Sequence, residues 1–497
     1  MGLSTAWNVA TTSLATNASL TSIVSRNISN AQNATGYVSA KVANLVTGAS
    51  GAAIVQSITD LTNATLFNSM LSSSSATAAA RALSNGVTQL QQTVSDATTT
   101  SNSTTAANSP STLLQALSTA LQTYSATPNN SSAASAVLTA AQNLGSGLNS
   151  ASATVQNVRE TADQNMVSSV ATINRLLSQF QQVNTTIVNG TATGADISDA
   201  LDQRDTILQS LSQQIGVTTT TSANGSMSIY TDSGATLFDT SPRSVTMTPT
   251  TTYTASTVGA SVYVDGAPVT GANAIMAIQS GALAGLANLR DNVATQYQSQ
   301  LDSIAGGLID AFAETGQTPA TASSTLPGLF TYSGATSVPG STLIPGLASA
   351  INVSAAVDPA QGGNLNLIRD GGINGSSYVL NSSGASGYNT LIANDISALS
   401  TTQTFPSGTD LSNSASLSGY TSASASWLDG QYQAATNNAT YQSTLSTQAK
   451  QALSNATGVN IDSQMSQMLD LENSYQASAK LISTINTMFG SLLQAVA

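Results

Sequence analysis

The stretch MLDLENSYQASAKLIST, residues 468–484, lies inside a longer C-terminal segment whose apolar residues decide the architecture. From Ile461 through Met465, Met468, Tyr475, Ala479, Ile482, Phe489 and Leu493 to Val496, the spacing alternates between four and three. That is the period of a helix presenting one seam to a partner helix, with Glu472 and Asn486 as its polar members. A second stripe, Leu471, Leu481, Ile485, Met488 and Leu492, flanks the first. The other end of the chain carries the counterpart. Leu3, Trp7, Ala10, Leu14, Val24 and Ile28 keep the same register with Asn17 and Thr21, and Ala6, Val9, Leu20 and Ile23 form its second stripe. Helices with two apolar stripes need more than one partner, so both ends read as a coiled-coil core that pairs within the chain and between copies. A polar residue in such a seam costs stability and fixes register, the role expected of Glu472 and Asn486. Trp7 and Phe489 are expected in the core of the assembled helices.

Composition narrows the functional classes. Only 7% of the 497 residues are Asp, Glu, Lys or Arg, so solubility rests on hydroxyl and amide side chains. The formal net charge is -12, and no basic cluster exists that could neutralise several phosphates, which argues against nucleic acid as a partner. With no Cys and no His, thiolate chemistry, most zinc sites and every His-dependent triad are excluded, and no enzyme, catalytic residue, metal or cofactor is expected. No apolar run is long enough for a membrane span, so membrane insertion is not expected either. No Lys or Arg precedes Arg26 and no apolar signal core follows the first residues, so export, if it occurs, is expected to use another route than the general secretory signal.

Between the ends, helical periodicity alternates with Thr-, Pro- and Gly-rich segments. Leu83, Val87, Leu90 and Val94, then Leu114, Leu117, Leu121 and Tyr124, then Met166, Val170, Ile173, Leu177, Phe180 and Ile187, form successive stripes of a bundle. A further helix carries Leu201, Leu208, Leu211 and Ile215 and stops near Gly216. The pattern predicts a mainly α fold with β insertions: long N- and C-terminal coiled-coil helices, a helical bundle rod, and two outer, mostly β or irregular parts. The boundaries read as 1–60 with 455–497 for the axial core; 61–216 with 276–316 and 426–454 for the rod; 217–275 for a small β domain; and 317–425 for an outer Pro/Gly-rich β domain.

Asn27-Ile28-Ser29-Asn30-Ala31, followed by Gly36-Tyr37, resembles the signature that closes the N-terminal helix of bacterial flagellar axial proteins, the rod, hook and hook-associated families. Residues 468–484 resemble the matching C-terminal signature. Leu201-Asp202-Gln203-Arg204-Asp205, and the block of Gly281 to Leu286, Arg290-Asp291 and Gln300-Leu301-Asp302, are similar to internal segments of the hook-associated protein 1 family. Thr35 stands where the family usually has Pro, and Ser39-Ala40-Lys41 where it has Ser-Arg.

The resemblance implies a structural subunit of the junction between hook and filament, assembled in a ring or helical array through its terminal helices. It also implies a place on the flagellum outside the cell. Partners implied are further copies of the chain, hook protein, hook-associated protein 3, an export chaperone and the type III export apparatus. Hook protein itself, or a secreted Ser/Thr-rich adhesin, are the alternatives. Assembly contacts are expected at Leu3, Trp7, Leu14, Leu20, Ile23, Val24, Ile28, Ile461, Met465, Met468, Tyr475, Ile482, Phe489, Leu493 and Val496. Structural roles are expected at Asn27, Asn30, Gly36, Tyr37, Asp202, Gln203, Arg204, Asp205, Arg290 and Asp291. The periodicity around Leu201 to Ile215 puts the charges of 202–205 on a solvated strip, and Arg290-Asp291 is read the same way. Asp370 to Gly375 has the oxygen content of a calcium loop but lacks its regular acidic ligands, so a turn is expected.

Overall fold

The computed structural model describes residues 2–33, 38–49, 51–95, 109–319, 321 and 324–496. Helix α1 (Leu3–Asn33) leads to an antiparallel hairpin, β1 (Lys41–Thr47) and β2 (Ala53–Asp60). α2 (Ala64–Gln91), α3 (Pro110–Ala126), α4 (Ser131–Thr193) and α5 (Ser198–Gln214) follow. The starts of α2, α3 and α4 are written locally: Asn63, Ser109 and Asn130 each turn a side-chain oxygen onto backbone N–H groups of the first turn, and Pro110 opens α3. Gly194 ends α4 in the left-handed conformation at φ 69°. At 63 residues, α4 is roughly 95 Å long and is the spine against which α3, α5 and later helices pack.

After α5 the backbone changes period. β3 (Val217–Thr221), β4 (Met227–Thr231) and β5 (Thr236–Phe238) make an antiparallel sheet with Val217 opposite Thr231. Met227, Ile229 and Thr231 alternate inward, and Phe238 meets Phe180 of α4 edge to face at 4.9 Å. A second small sheet joins Val245–Thr246, Tyr263–Val264 and Ala267–Pro268. Helix resumes with α6 (Ala282–Asn288), a π-helical turn (Leu289–Val293) and α7 (Ala294–Ala311).

The segment 317–425, expected as a β domain, is mostly irregular with short strands and helices. Six of the chain's 11 prolines lie there, and the strands are two or three residues long. The helical pieces are single turns, α8 (Leu347–Ala350) and α9 (Leu367–Asp370), and one longer helix, α10 (Thr390–Ser400), whose stretch is free of Pro and buries Ile392, Asp395 and Leu399. α11 (Leu417–Thr457) then returns along α2 to α12 (Ile461–Val496).

Residues 41–60, grouped by sequence with the coiled-coil core, instead form the hairpin. Gly51 takes φ 83° at its turn, and the β-branched residues of Ile54, Val55, Ile58 and Thr59 favour the extended ladder. No helix among the described residues is long and apolar enough to cross a membrane.

One helix contact is set by a glycine, and another helical glycine makes none. A Cβ at Gly285 of α6 would stand 2.2 Å from the carbonyl oxygen of Ala79 in α2, whereas one at Gly430 of α11 meets nothing within 4 Å. Gly285→Ala should therefore destabilise the bundle by about 1–3 kcal/mol. Gly430→Ala should stabilise it by roughly 0.5–1 kcal/mol, because only helix propensity changes. Urea unfolding followed by far-UV circular dichroism measures both, and equal effects would refute this packing.

Candidate assembly interface

α1 and α12 lie side by side and antiparallel. Asn17 donates to the Ser474 hydroxyl at 2.9 Å and Asn27 to the Gln464 amide oxygen at 3.0 Å, so higher numbers in one helix meet lower numbers in the other. The side chains of α12 buried at this contact are Leu471, Ser478 and Ile485, seven residues apart. On α1 the buried set is Ala10, Thr16, Asn17, Ile23, Val24 and Asn27. Small Ala10 and Ser478 and the amide of Asn17 give the pair a narrow, partly polar seam.

That seam is offset from the one read in the sequence. Ile461, Met465, Tyr475 and Leu493 are exposed, Leu493 at 69%, while Met468, Ile482 and Phe489 are half-buried. Leu481, Met488 and Leu492 are exposed on the other flank of the same helix. On α1, Leu3, Trp7, Leu14, Leu20 and Ile28 are half-buried, and Ile23 and Val24 are buried against the chain itself. Glu472 and Asn486 face outward, and the polar members of the intrachain seam are Asn17, Asn27 and Ser478. The side chain of Val496 lies outside the described residues. One helix covers the middle of a wide apolar arc on α12 and leaves both margins open.

The base of the pair is built by Asn27. Its side-chain amide donates to the Lys41 carbonyl and its oxygen accepts from the Lys41 N–H, both at 2.9 Å, which locks the start of β1 against α1. Ala40 donates to the Thr457 carbonyl at 2.8 Å, so the hairpin also grips the end of α11. Asn30 is half-buried, and Gly36 and Tyr37 lie outside the described residues.

The charged motif of α5 completes this joint, and it is not the solvated strip expected. The Lys41 side chain is fully buried, with its ammonium 2.7 Å from Asp202, 3.4 Å from Asp199 and 3.5 Å from Asp60. Arg26 pairs with Asp196 at 2.9 Å and Asp199 at 2.6 Å. Burial alone would lower the Lys41 amine, but Asp202, Asp60 and Asp199 hold it above the usual lysine range. Burial pushes the Asp60 carboxyl up to about 6 against the pull of Lys41, and the Asp205 carboxyl up to about 7 against the pull of Arg204. Arg204 donates to the Gly225 carbonyl at 3.2 Å, and burial lowers it; Gln203 is exposed. The partner that turns the strip inward, Lys41, is remote in sequence, which is why a local pattern could not show it.

Arg290 and Asp291 also lie in a buried network. The Arg290 guanidinium is fully buried, 2.6 Å from Asp163 of α4 and 2.8 Å from Asp291, and it donates to the Ala260 carbonyl. Asp163 accepts the Tyr253 hydroxyl at 2.8 Å, and Arg159 donates to the Thr254 and Thr257 carbonyls. Together these tie the small β domain to α4 at the π-helical turn. In the 370–375 loop the N–H groups of Gly372, Ile373 and Asn374 all donate to Glu314 at 2.7–2.9 Å. The loop thus presents donors inward, which suits a carboxylate and opposes a cation. No cluster of acidic side chains suited to a metal is present among the described residues.

Residues 100–328 match the model of the flagellar hook-associated protein FlgK helical domain, and residues 450–495 match that of the flagellar basal body rod FlgEFG protein C-terminal domain. The middle of the chain is thus similar to a flagellar hook-associated protein and its C-terminal segment to a flagellar rod protein. The flagellar hook junction protein FlgK from Burkholderia pseudomallei is similar over 53% of this chain and 46% of its own, at 22% identity and a TM-score of 0.42. The chain thus spans about half the length of that solved relative. No curated protein matches it. The families matched are flagellar structural proteins.

Asn27→Ala would strand the Lys41 N–H and carbonyl in a buried place. A loss of about 2–3 kcal/mol is expected, confined to the terminal pair and hairpin. Hydrogen exchange should speed up in residues 41–60 and in α12 while α4 stays protected; uniform protection would show that Asn27 is not the clasp.

Proposed function

We propose that this chain is a structural subunit of the junction between flagellar hook and filament, and not an enzyme. It assembles head to tail with copies of itself through α1 and α12, meets hook protein on one side and hook-associated protein 3 on the other, and leaves the cell through the type III export apparatus with a chaperone. The observation that carries this reading is the apolar margin left on α12 by its own partner helix. Met465, Tyr475 and Leu493 on one flank of the seam, and Leu481, Met488 and Leu492 on the other, are all exposed on this one helix. Apolar margins of that kind on either side of a packed seam mark protein contacts. The two ends of the chain make it together, as a subunit inserted in an axial structure requires, and the FlgK-type match over 100–328 favours the junction over the hook itself. Contacts at non-identical flanks continue from subunit to subunit without closing a twofold dimer.

A deletion strain tests the reading directly. Complete hooks without filaments, and filament protein spilled into the medium, are expected; absent hooks would point to hook protein, and normal motility would defeat both. A separation-of-function variant follows from the exposures. Leu493→Asp should change the stability of the free chain by less than about 0.5 kcal/mol, since the residue faces water. In the assembly the buried carboxylate costs several kcal/mol at every subunit and should abolish incorporation. Leu471→Asp should instead unseat α12 in the free chain. Normal filaments from the Leu493→Asp strain would refute this surface as the contact.

A further inference from the structure

Five carboxylates, Asp60 of β2 and Asp196, Asp199, Asp202 and Asp205 at or in α5, face three cations, Arg26 of α1, Lys41 of β1 and Arg204 of α5. The set spans the joint between the terminal helix pair, with its hairpin, and the rod. It is unevenly satisfied. Arg26 takes Asp196 and Asp199, and Lys41 takes Asp202 at 2.7 Å, leaving Asp60 at the long distance of 3.5 Å. The second carboxyl oxygen of Asp60 is buried with no partner, as is Nε of Arg204. Asp196 and Asp199 reach solvent with Arg26, so the groups held from water are Asp60, Asp202 and Asp205 against Lys41 and Arg204; fully ionised, they would enclose one more negative charge than positive, with one carboxylate oxygen unsolvated and unbonded.

We propose that this joint is a proton-operated latch, which holds the hairpin against α5 when Asp60 and Asp205 carry protons and releases it when both are ionised. A protonated Asp60 removes the uncompensated charge. A protonated Asp205 lifts the repulsion that remains with Asp202, and Lys41 then serves Asp199 and Asp202 alone. Ionisation restores the repulsion among Asp60, Asp202 and Asp205, which only opening to water relieves.

The direction of the pH dependence follows from linkage. Asp60 and Asp205 have carboxyls raised to about 6 and about 7, so the closed joint binds more protons than the open one from the ordinary carboxylate range up to those values. Closure is favoured on the acid side of that window and lost as pH rises through it. Asp196 and Asp199 act oppositely: burial raises them, but Ser198 and Arg26 at Asp196, and Arg26 and Lys41 at Asp199, outweigh it, so their contribution is lost only in stronger acid. The chain has no His, so no imidazole competes near neutrality. Asp302, Asp310 and Asp395 are also raised by burial, but they lie in α7 and α10.

The chain has no Cys, so two can be placed at will: Gln56→Cys in β2 and Gln213→Cys in α5, both exposed, carry spin labels on the full-length protein. Pulsed electron spin resonance should find one short distance at about pH 5.5 and a second, longer population growing on the order of tenfold by about pH 8. Adding Asp60→Asn with Asp205→Asn should keep the short distance at both values. If that pair does not fold by circular dichroism, Asp205→Asn alone should move the midpoint. A distance distribution unchanged between the two pH values, or an Asn variant that opens as the parent does, overturns the latch.

Discussion

Everything in this chain depends on its two ends lying antiparallel, and that arrangement is prepared by the bundle. α2 and α11 run in opposite directions, with Thr77 donating to the Gln442 carbonyl, Arg81 to the Ser443 hydroxyl and Gln91 to Asp429. They deliver Thr457 to within a backbone hydrogen bond of Ala40. Closing a loop of several hundred residues costs chain entropy that grows only slowly with length, and the bundle core has already met it before α1 and α12 touch. The terminal pair therefore needs to gain only its own ordering energy from its seam.

A chain with so few charges places them where segments distant in sequence must meet at a defined angle. Arg26, Lys41 and Arg204 sit at the joint with the terminal pair; Arg159 and Arg290 fasten the small β domain; Arg369 braces the insertion by donating to the Pro128 and Ser386 carbonyls. Buried ion pairs are poor sources of net stability because desolvation offsets attraction, but an unpaired member is expensive, so they penalise every wrong docking angle. In the hydroxyl-rich remainder, where Ser and Thr bond mostly to their own helix, nothing else would enforce that angle so sharply.

The sequence disclosed helices wherever large side chains carried the packing. The stripe from Met166 to Ile187 was legible, but α4 begins at Ser131, and the stripe of its first half, Val137, Leu144, Leu148, Val155 and Val158, is diluted by the small residues packed beside it, Ala133, Ala134, Ala141 and Ser152. The hairpin at 41–60 left a signal, β-branched residues on either side of Gly48 and Gly51, that the longer helical pattern around it obscured. The inward turn of Asp202 and Asp205 and the burial of Arg290 had no local signal, since Lys41 and Asp163 come from remote segments. The offset of the α12 seam has the same origin: the apolar arc was legible, while the part of it that α1 claims depends on the shape of α1.

The open margins of α12 and the charged joint beneath it are parts of one balance. Two helices cannot bury a wide apolar arc, so in the free chain the α1–α12 pair holds through the narrow seam at Leu471, Ser478 and Ile485 and through its base at Asn27 and Lys41. Neighbouring subunits that cover Leu481, Met488 and Leu493 would add about 1.5–3 kcal/mol for each large side chain fully buried, several times what the base contributes through any one hydrogen bond. Once covered, the apolar margins would hold α12 in place, while the base fixes the angle at which the pair leaves the rod. A protein whose terminal helices were already fully satisfied within one chain would have nothing left with which to bind the next.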